Sequence, residues 1–540
     1  MSEEKAQQEN FLNRIITKLY PLGLKDEMMI HFKNSVPLAL SILSQQLLSM
    51  MCFFFCGHVG PNELAAVSLA NTLIHIGSFG PILGLASASE TLFPQLYGGK
   101  DKKKVGIIVQ RGVLISLMAS FFCIGFLLNS KYIMKFFVKD EYVVMLADTF
   151  IVYFSPSILF YSIQIIISKY LQSQNIFYPV LFINVLVNIL NACLQWVLVI
   201  WTEMGVIGSA ISVVIVNIIQ LALLIIYIVK KKIHEETWPG WSIECFYDWK
   251  LYLKLGMAGF GMVVFEWASF EIAVMSSGLL GNTELSVMSI TQQTALTFIL
   301  FAFGIASSGN IRVGQLLGEN SPEKALNSTK VVYTITLLCG TSLALIMIIF
   351  SDYVPYIFTN NSELVSQVSK PLKFLGVIHV FDELQVCGGG ILRALGSQTF
   401  GVIIAFIAFY LISLPIGLYL LLNTSLTVTG FWIGFSCAAF FLLLCQVVFI
   451  FRVNWEEKAK MASELALRMK KDKVKVNNVE VSSIENNPNP EKVQNLKRKI
   501  FKKILVLASV LSIFLVSILT RNLSHFSVEL DKNSTNSTDN

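Results

Sequence analysis

Between residues 35 and 451 the chain passes through twelve stretches, each apolar for the length of a bilayer crossing: 35–56, 64–88, 105–128, 144–168, 177–200, 205–229, 251–280, 285–309, 328–350, 370–392, 401–422 and 427–451. A helix needs about 20 such residues to cross hydrocarbon. No backbone group can stay unpaired there, so only helices or a closed barrel fit. The ten-residue alternation of a membrane barrel is missing, and the expected class is an all-α polytopic membrane protein. Composition agrees: 54% of the 540 residues are hydrophobic and 14% charged, against about 25% charged in a soluble domain. A thirteenth apolar stretch, near 503–520, follows a polar segment.

Basic residues follow the second stretch (Lys100, Lys102, Lys103, Lys104), the sixth (Lys230, Lys231, Lys232) and the twelfth (Arg452, Lys458, Lys460). Positive loops stay inside, so these loops are predicted to be cytoplasmic. Lys131, Lys135 and Lys139 run against the rule, diluted by Asp140 and Glu141. The organisation that follows is a cytoplasmic N-terminal segment (1–33), a six-helix lobe (34–230), a cytoplasmic inter-lobe linker (231–250) and a second six-helix lobe (251–452). Beyond these come a charged cytoplasmic linker (453–500), a thirteenth membrane helix (501–521) and an extracellular tail (522–540). The tail carries glycosylation acceptors at Asn522, Asn533 and Asn536, although Asn327-Ser-Thr, another such triplet, falls on the predicted inside. No cleavable signal precedes the first stretch, which would itself direct insertion into what we expect to be the plasma membrane.

The net charge of +6 sits largely in loops and tail, so it speaks for topology and against nucleic acid. The nine cysteines lie mostly in apolar runs without a Cys-x-x-Cys pair and read as small buried hydrophobes. There is no Walker loop, no glycine-rich dinucleotide turn and no His/Cys metal spacing. Neither ATP hydrolysis, nor a metal, nor an organic cofactor is expected.

An internal repeat organises the rest. Gly84-Leu-Ala-Ser and Gln95-Leu-Tyr-Gly return as Gly304-Ile-Ala-Ser and Gln315-Leu-Leu-Gly; Val206-Ile-Gly208 returns as Val428-Thr-Gly430, and Ser173-Gln174 as Ser397-Gln398. Two copies of six spans begin on the same side, so the repeats are parallel and leave a cavity between halves that can rock against each other.

Ionisable residues within the spans are the candidate working parts, because a charge at mid-depth costs roughly 2.5–3.5 kcal/mol on insertion scales. Glu266 lies mid-span beside Trp267, whose ring can attract an organic cation. Glu271, about 140° further round the helix, either faces another wall of the cavity or makes a structural hydrogen bond. Asp382 lies one turn past His379, and the two could pass protons or simply bond each other; Glu383 points elsewhere. His75, Gln45, Gln46, Gln292 and Gln293 are polar groups within spans, with helix-to-helix hydrogen bonding the stronger reading for each. Carboxylates removed from water hold protons more readily than exposed ones, and a cation alongside displaces the proton. Proton and cation then compete for one group, and competition at a site open to alternate sides is antiport.

Phe55-Cys-Gly-His58, Glu90-Thr-Leu, Gln95-Leu-Tyr-Gly98, Val105-Gly106 with Gln110-Arg111, Lys169-Tyr-Leu and Gly205-Val-Ile-Gly-Ser-Ala210 make up one set of motifs. Thr237-Trp-Pro-Gly-Trp-Ser-Ile-Glu-Cys245, Glu266-Trp-Ala-Ser-Phe-Glu271, Arg312-Val-Gly and Gly388-Gly-Gly-Ile-Leu-Arg393 make up a second. Over residues 30–455 the chain resembles the multidrug and toxin extrusion (MATE) family, more closely its vertebrate organic-cation branch. That resemblance implies a MATE-like fold of two parallel six-helix bundles, with a thirteenth helix as in the vertebrate branch. It also implies proton/organic-cation exchange by a membrane-embedded chain acting as a monomer and not an enzyme, with protons as the coupling ion. By the family's motif Glu266, Glu271 and Asp382, with His379 beside them, handle protons and cation, and Trp267, Phe270, His75, Gln292 and Gln293 line the pocket. Two departures bear on substrate range, proton number and pH optimum: Gln292-Gln293 stands where relatives carry Tyr-Glu, and His75 stands where Asn is expected. The rival readings are a related-fold flippase or exporter of another substrate class, a membrane enzyme built on His379 and Asp382, and a receptor-like protein.

Overall fold

In a computed structural model of the chain, the described residues are 20, 23–138, 140–238, 240–359, 361–465 and 514. They hold twelve helices long and apolar enough to cross a membrane: α1 (Lys25–Val59), α2 (Pro61–Gly98), α3 (Lys104–Leu128), α4 (Glu141–Gln172), α5 (Tyr178–Trp201), α6 (Gly205–Lys230), α7 (Trp249–Gly278), α8 (Asn282–Gly318), α9 (Pro322–Phe350), α10 (Ser362–Ala394), α11 (Gln398–Asn423) and α12 (Thr427–Arg452). The thirteenth helix expected at 501–521, most of the linker before it and the tail after it lie outside the described residues.

Helix starts use local devices that the duplication has copied. Asp140 accepts hydrogen bonds from the backbone N–H groups of Tyr142 and Val143 at the head of α4, and Asn361 does the same for Glu363 and Leu364 at the head of α10. Such caps satisfy donors that the first turn leaves unpaired. α5 and α11 both loosen to i→i+5 hydrogen bonding, over Trp196–Trp201 and Ile407–Ser413. A third loosened turn, His75–Phe79 in α2, has no partner in α8. Wide turns of this kind collect at functional sites.

Helix packing repeats as well. α1 packs on α5, α2 on α4, α3 on α4 and α4 on α6; six helices later α7 packs on α11, α8 on α10, α9 on α10 and α10 on α12. Each lobe keeps its own apolar core, with Phe93, Leu127, Phe150 and Tyr170 fully buried in the first and Phe409, Phe431, Trp432 and Phe435 in the second. The connection between lobes is tied to the first. Arg111 on α3 donates to the carbonyls of Glu244, Cys245 and Asp248, while the Gln110 amide bonds Gly240 O and Ser242 N.

Between the lobes α2 meets α7 and α8, and α1 meets α8. Here the sequence repeat acquires a physical meaning. A methyl group at Gly84 would overlap the backbone of Phe260 on α7, and one at its copy Gly304 would overlap Ser35 and Ala39 on α1. Nearer the face that carries the basic loops, α2 and α8 cross so closely that a methyl at Gly98 would overlap the Gln315 carbonyl, and one at Gly318 the Gln95 carbonyl. The glutamine side chains finish the crossing: Gln95 Nε2 donates to Ala394 O at 2.8 Å and Gln315 Nε2 to Ser173 O at 2.8 Å. These partners explain why α1, α2 and α8 run roughly ten residues past their apolar stretches, since the polar ends are paired across the interface rather than left in hydrocarbon.

Gly98→Ala and Gly318→Ala should each destabilise the purified protein by about 1–3 kcal/mol, as overpacking does, and lower its thermal midpoint. Gly57→Ala, which would meet only the Leu64 side chain at 3.6 Å, should leave the midpoint unchanged.

Candidate functional site

Glu266 is the eighteenth of the thirty residues of α7, hence near mid-membrane. It is half-buried. Among the described residues its carboxylate has neither a hydrogen bond nor an ion pair, while its backbone carbonyl accepts from Ser269 Oγ at 2.7 Å. The charges that act on it are those of Asp382 and Arg393 on α10.

Trp267 faces the other lobe. Its ring centre lies 6.0 Å from that of His75 in the loosened turn of α2. Behind His75 an aromatic wall continues through Phe79 (5.3 Å), Tyr161 (4.6 Å from Phe79) and Phe154 (6.2 Å from Phe79). His75 makes no side-chain hydrogen bond among the described residues, so the expectation of a helix-packing histidine bond is not met: its neighbours are rings. Gln45, Gln46, Gln292 and Gln293 are half-buried, and their side chains do not hydrogen-bond another described helix, again unlike the expected helix-to-helix bonds. Glu271 is half-buried without a hydrogen-bond or ion-pair partner among the described residues. Phe270 turns into its own lobe, 5.0 Å from Phe435 and 6.0 Å from Trp432.

On α10 the structure corrects the expected pairing. His379 meets Glu383, not Asp382: Nε2 lies 3.0 Å from Glu383 Oε1, with both side chains buried. Residues i and i+4 are about 40° apart round a helix and i and i+3 about 60°, so the nearer pairing wins here. Asp382 is left half-buried, accepting from its neighbour Gln385 at 3.1 Å.

One cluster went unrecognised in the sequence. Glu90 of α2 takes Lys169 Nζ of α4 at 2.6 Å and Arg393 Nε of α10 at 2.9 Å, and Asn310 Nδ2 of α8 reaches it at 3.5 Å. Lys169 and Arg393 are repeat copies of each other at the offset of the Ser-Gln pair; Glu90 and Asn310 are copies at the offset of the Gln-Leu-x-Gly pair. All four converge near the axis relating the lobes, beside a cleft lined by Ser89, Pro94, Gln172, Ser307 and Ile311. The signal was present: four polar residues beside the repeated motifs at matching offsets. A second inter-lobe pair joins Glu27 on α1 to Arg312 on α8 at 2.9 Å, with the buried His31 bonded to Ser308 and Ser328. The lobes are therefore latched on the face with the basic loops, while the unpaired acids lie above the latch.

Comparison with known proteins bears on this geometry. A model of the MatE family matches the chain twice, over residues 37–197 and 258–419, once in each lobe. The Multidrug and toxin extrusion protein 1 of Xenopus tropicalis is 36% identical over 442 residues, 82% of this chain and 76% of that protein. The protein of the same name from Homo sapiens is 35% identical over 436 residues, 80% and 75% of the two chains. The crystal structure of the eukaryotic MATE transporter AtDTX14 matches the fold with a TM-score of 0.78 at 23% identity, over 82% of this chain and 99% of that one. A MOP superfamily transporter from Pyrococcus furiosus matches with a TM-score of 0.70 at 15% identity, over 84% and 98%.

The latch has one anion and two cations, so its members are not equivalent. Glu90→Gln should leave Lys169 and Arg393 facing each other and weaken closure by about 1–3 kcal/mol, discounted because the cluster is partly exposed. Lys169→Gln should cost less, since Glu90 and Arg393 remain paired. Labelling of a Ser307→Cys variant by a membrane-impermeant maleimide should rise severalfold with Glu90→Gln and little with Lys169→Gln.

Proposed function

Because this chain belongs to the multidrug and toxin extrusion family, whose members are membrane transporters, we propose that it exports organic cations in exchange for protons, with Glu266 as the group both compete for. The observation that carries this reading is the absence of a counter-charge. Glu266 sits mid-membrane between two lobes, its carboxylate tied to no described residue, with the Trp267 ring next to it in sequence and facing the opposite lobe.

The chemistry follows from charge balance. An ionised Glu266 in a site of low dielectric needs a positive partner, and the protein supplies none in contact. Arg393 is engaged by Glu90, and the remaining nearby charge, Asp382, repels it. A proton neutralises Glu266 by bonding it, and an organic cation does so by sitting against it, its flat or alkylated face on Trp267. Each excludes the other. With the latch closed the occupant exchanges with the opposite face; when the lobes rock and the latch parts, it exchanges with the basic-loop face. Taking that face as cytoplasmic by its charge, a cation loads from the cytoplasm and a proton from outside displaces it. His75, Phe79 and Tyr161 give the cavity an aromatic wall in the first lobe. Asp382 deepens the field that favours a cation, whereas an anionic substrate would meet two acids. The two lobes of one chain enclose the whole site, so the monomer is the working unit, placed in the plasma membrane with both the N-terminus and the linker after α6 inside.

The test uses the purified chain in lipid vesicles with the interior more acidic than the medium, following tetraethylammonium. Outward movement of protons should drive cation uptake, and Glu266→Gln should reduce that uptake at least about tenfold, the effect of losing some 1.4 kcal/mol or more of differential binding. Trp267→Ala should raise KM by about 2- to 30-fold, the range of a lost cation–π contact. Undiminished gradient-driven uptake by Glu266→Gln would sink the proposal.

A further inference from the structure

Glu383 has no role in the account above, although it is the most deeply buried acid on α10. Its side chain is fully buried, and among the described residues no lysine or arginine pairs with it. Carboxylates kept for structure collect donors, commonly two or three N–H or O–H groups. Glu383 collects none: both oxygens lack a hydrogen-bond partner, and the one close polar group is His379 Nε2, at 3.0 Å but off the hydrogen-bonding direction. The pair is walled in. Gly340 of α9 packs so tightly on Glu383 Oε2 that a methyl there would overlap it, and Phe298 of α8 lies edge-on 6.1 Å from the His379 ring. The titratable groups whose fields meet Glu383 are the Cys339 thiol of α9 and, on α10 itself, Cys387, Asp382 and His379. From α2 and α7 the charged groups facing α10 are Glu90 and Glu266, which act on Arg393 and Asp382. On α12 the polar neighbour is the neutral Gln446, against Gly388.

We propose that Glu383 is a positioning residue for proton exchange: it fixes and neutralises a protonated His379, so that His379 can hand a proton to Asp382 and take it back. This rests on the proton/cation reading above. The step conserves charge. It begins with Glu383 and Asp382 ionised and His379 protonated, a net charge of −1. The proton leaves an imidazole nitrogen and bonds a carboxylate oxygen of Asp382. The trio is then ionised Glu383, neutral His379 and protonated Asp382, still −1. A transfer that leaves net charge unchanged avoids the cost of creating charge in an apolar interior. Without Glu383 the same step would start from a neutral pair and a charge on His379 facing only Asp382. The buried pair is thus a proton store behind the acid that faces the cavity, where Asp382 and Glu266 act on each other.

The experiment compares wild type, Glu383→Gln and Glu383→Asp in the same vesicles, reading exchange rate at saturating tetraethylammonium as a function of pH. Gln fills the same volume without the charge, so a packing role would leave the profile in place. The expected result is a displacement of the Glu383→Gln profile toward lower pH by about one unit, with KM for the cation within about twofold of wild type and the profile restored in Glu383→Asp. An unchanged profile in Glu383→Gln, at whatever rate, overturns the proposal. Infrared difference spectra of the wild-type protein between mildly acidic and neutral pH supply a second readout that needs no Glu383 variant to fold. An imidazole band that disappears in His379→Gln should change together with a carboxyl band, and its absence also overturns the proposal. If wild type shows no gradient-driven exchange at all, the exchange reading fails instead, and the infrared result still decides the role of Glu383.

Discussion

A carboxyl group at half the depth of a membrane must be neutralised, and the protein leaves that task at Glu266 to something that comes and goes. Every other acid near the inter-lobe surface has an engaged partner: Glu90 holds Lys169 and Arg393, and Glu27 holds Arg312. Breaking such a pair leaves a buried charge exposed to hydrocarbon, which costs several kcal/mol. The contrast between paired acids at the latch and an unpaired acid above it separates closing the path from loading the site. The same side chain type does both jobs, and its neighbours decide which.

Duplication explains where these neighbours come from. Two copies of one six-helix unit meet about a shared axis, so each residue at the crossing faces the copy of itself or of a near neighbour. Gly98 lies against the Gln315 backbone and Gly318 against that of Gln95; Lys169 and Arg393 approach one carboxylate from opposite lobes. Small residues at the crossing let backbones approach closely enough for side-chain hydrogen bonds to span the lobes. Each lobe buries its own aromatic core, so the interface can part without unfolding either half. That is the mechanical condition for rocking.

Much of this was legible in the order of residues. Apolar runs located all twelve spans because insertion depends on local hydropathy, and the repeated Gly-x-Ala-Ser and Gln-Leu-x-Gly motifs marked the contact between lobes, although the reason became visible only when Gly84, Gly98, Gly304 and Gly318 were seen against backbone. What could not be read depends on the direction a side chain takes. His379 is three residues from Asp382 and four from Glu383, and choosing between them needs the position of Gly340 on α9, which makes room for Glu383. Phe270 shares a motif with Glu266, yet turns to Trp432 and Phe435 in its own lobe. The convergence of Glu90, Lys169 and Arg393 joins residues up to 303 positions apart in sequence, and local pattern carries no distance between them.

The departure from symmetry at the latch has an electrostatic consequence for the cavity. A perfectly copied unit would place a second acid where Asn310 stands, giving two anions to two cations. With Asn310 neutral, Glu90 alone faces Lys169 and Arg393, and the cluster keeps a net positive charge on the side of the basic loops. Above it, Glu266 and Asp382 give the cavity a negative charge. The two together make a field directed along the axis between the lobes, in a region where walls of low dielectric screen poorly. A cation at Glu266 is held by the acids and repelled by the latch, so while the lobes are closed it is driven back toward the open face rather than through the seam. Parting the latch separates Lys169 from Arg393 and weakens the positive end of that field. The barrier to a cation therefore falls in the same movement that opens its path.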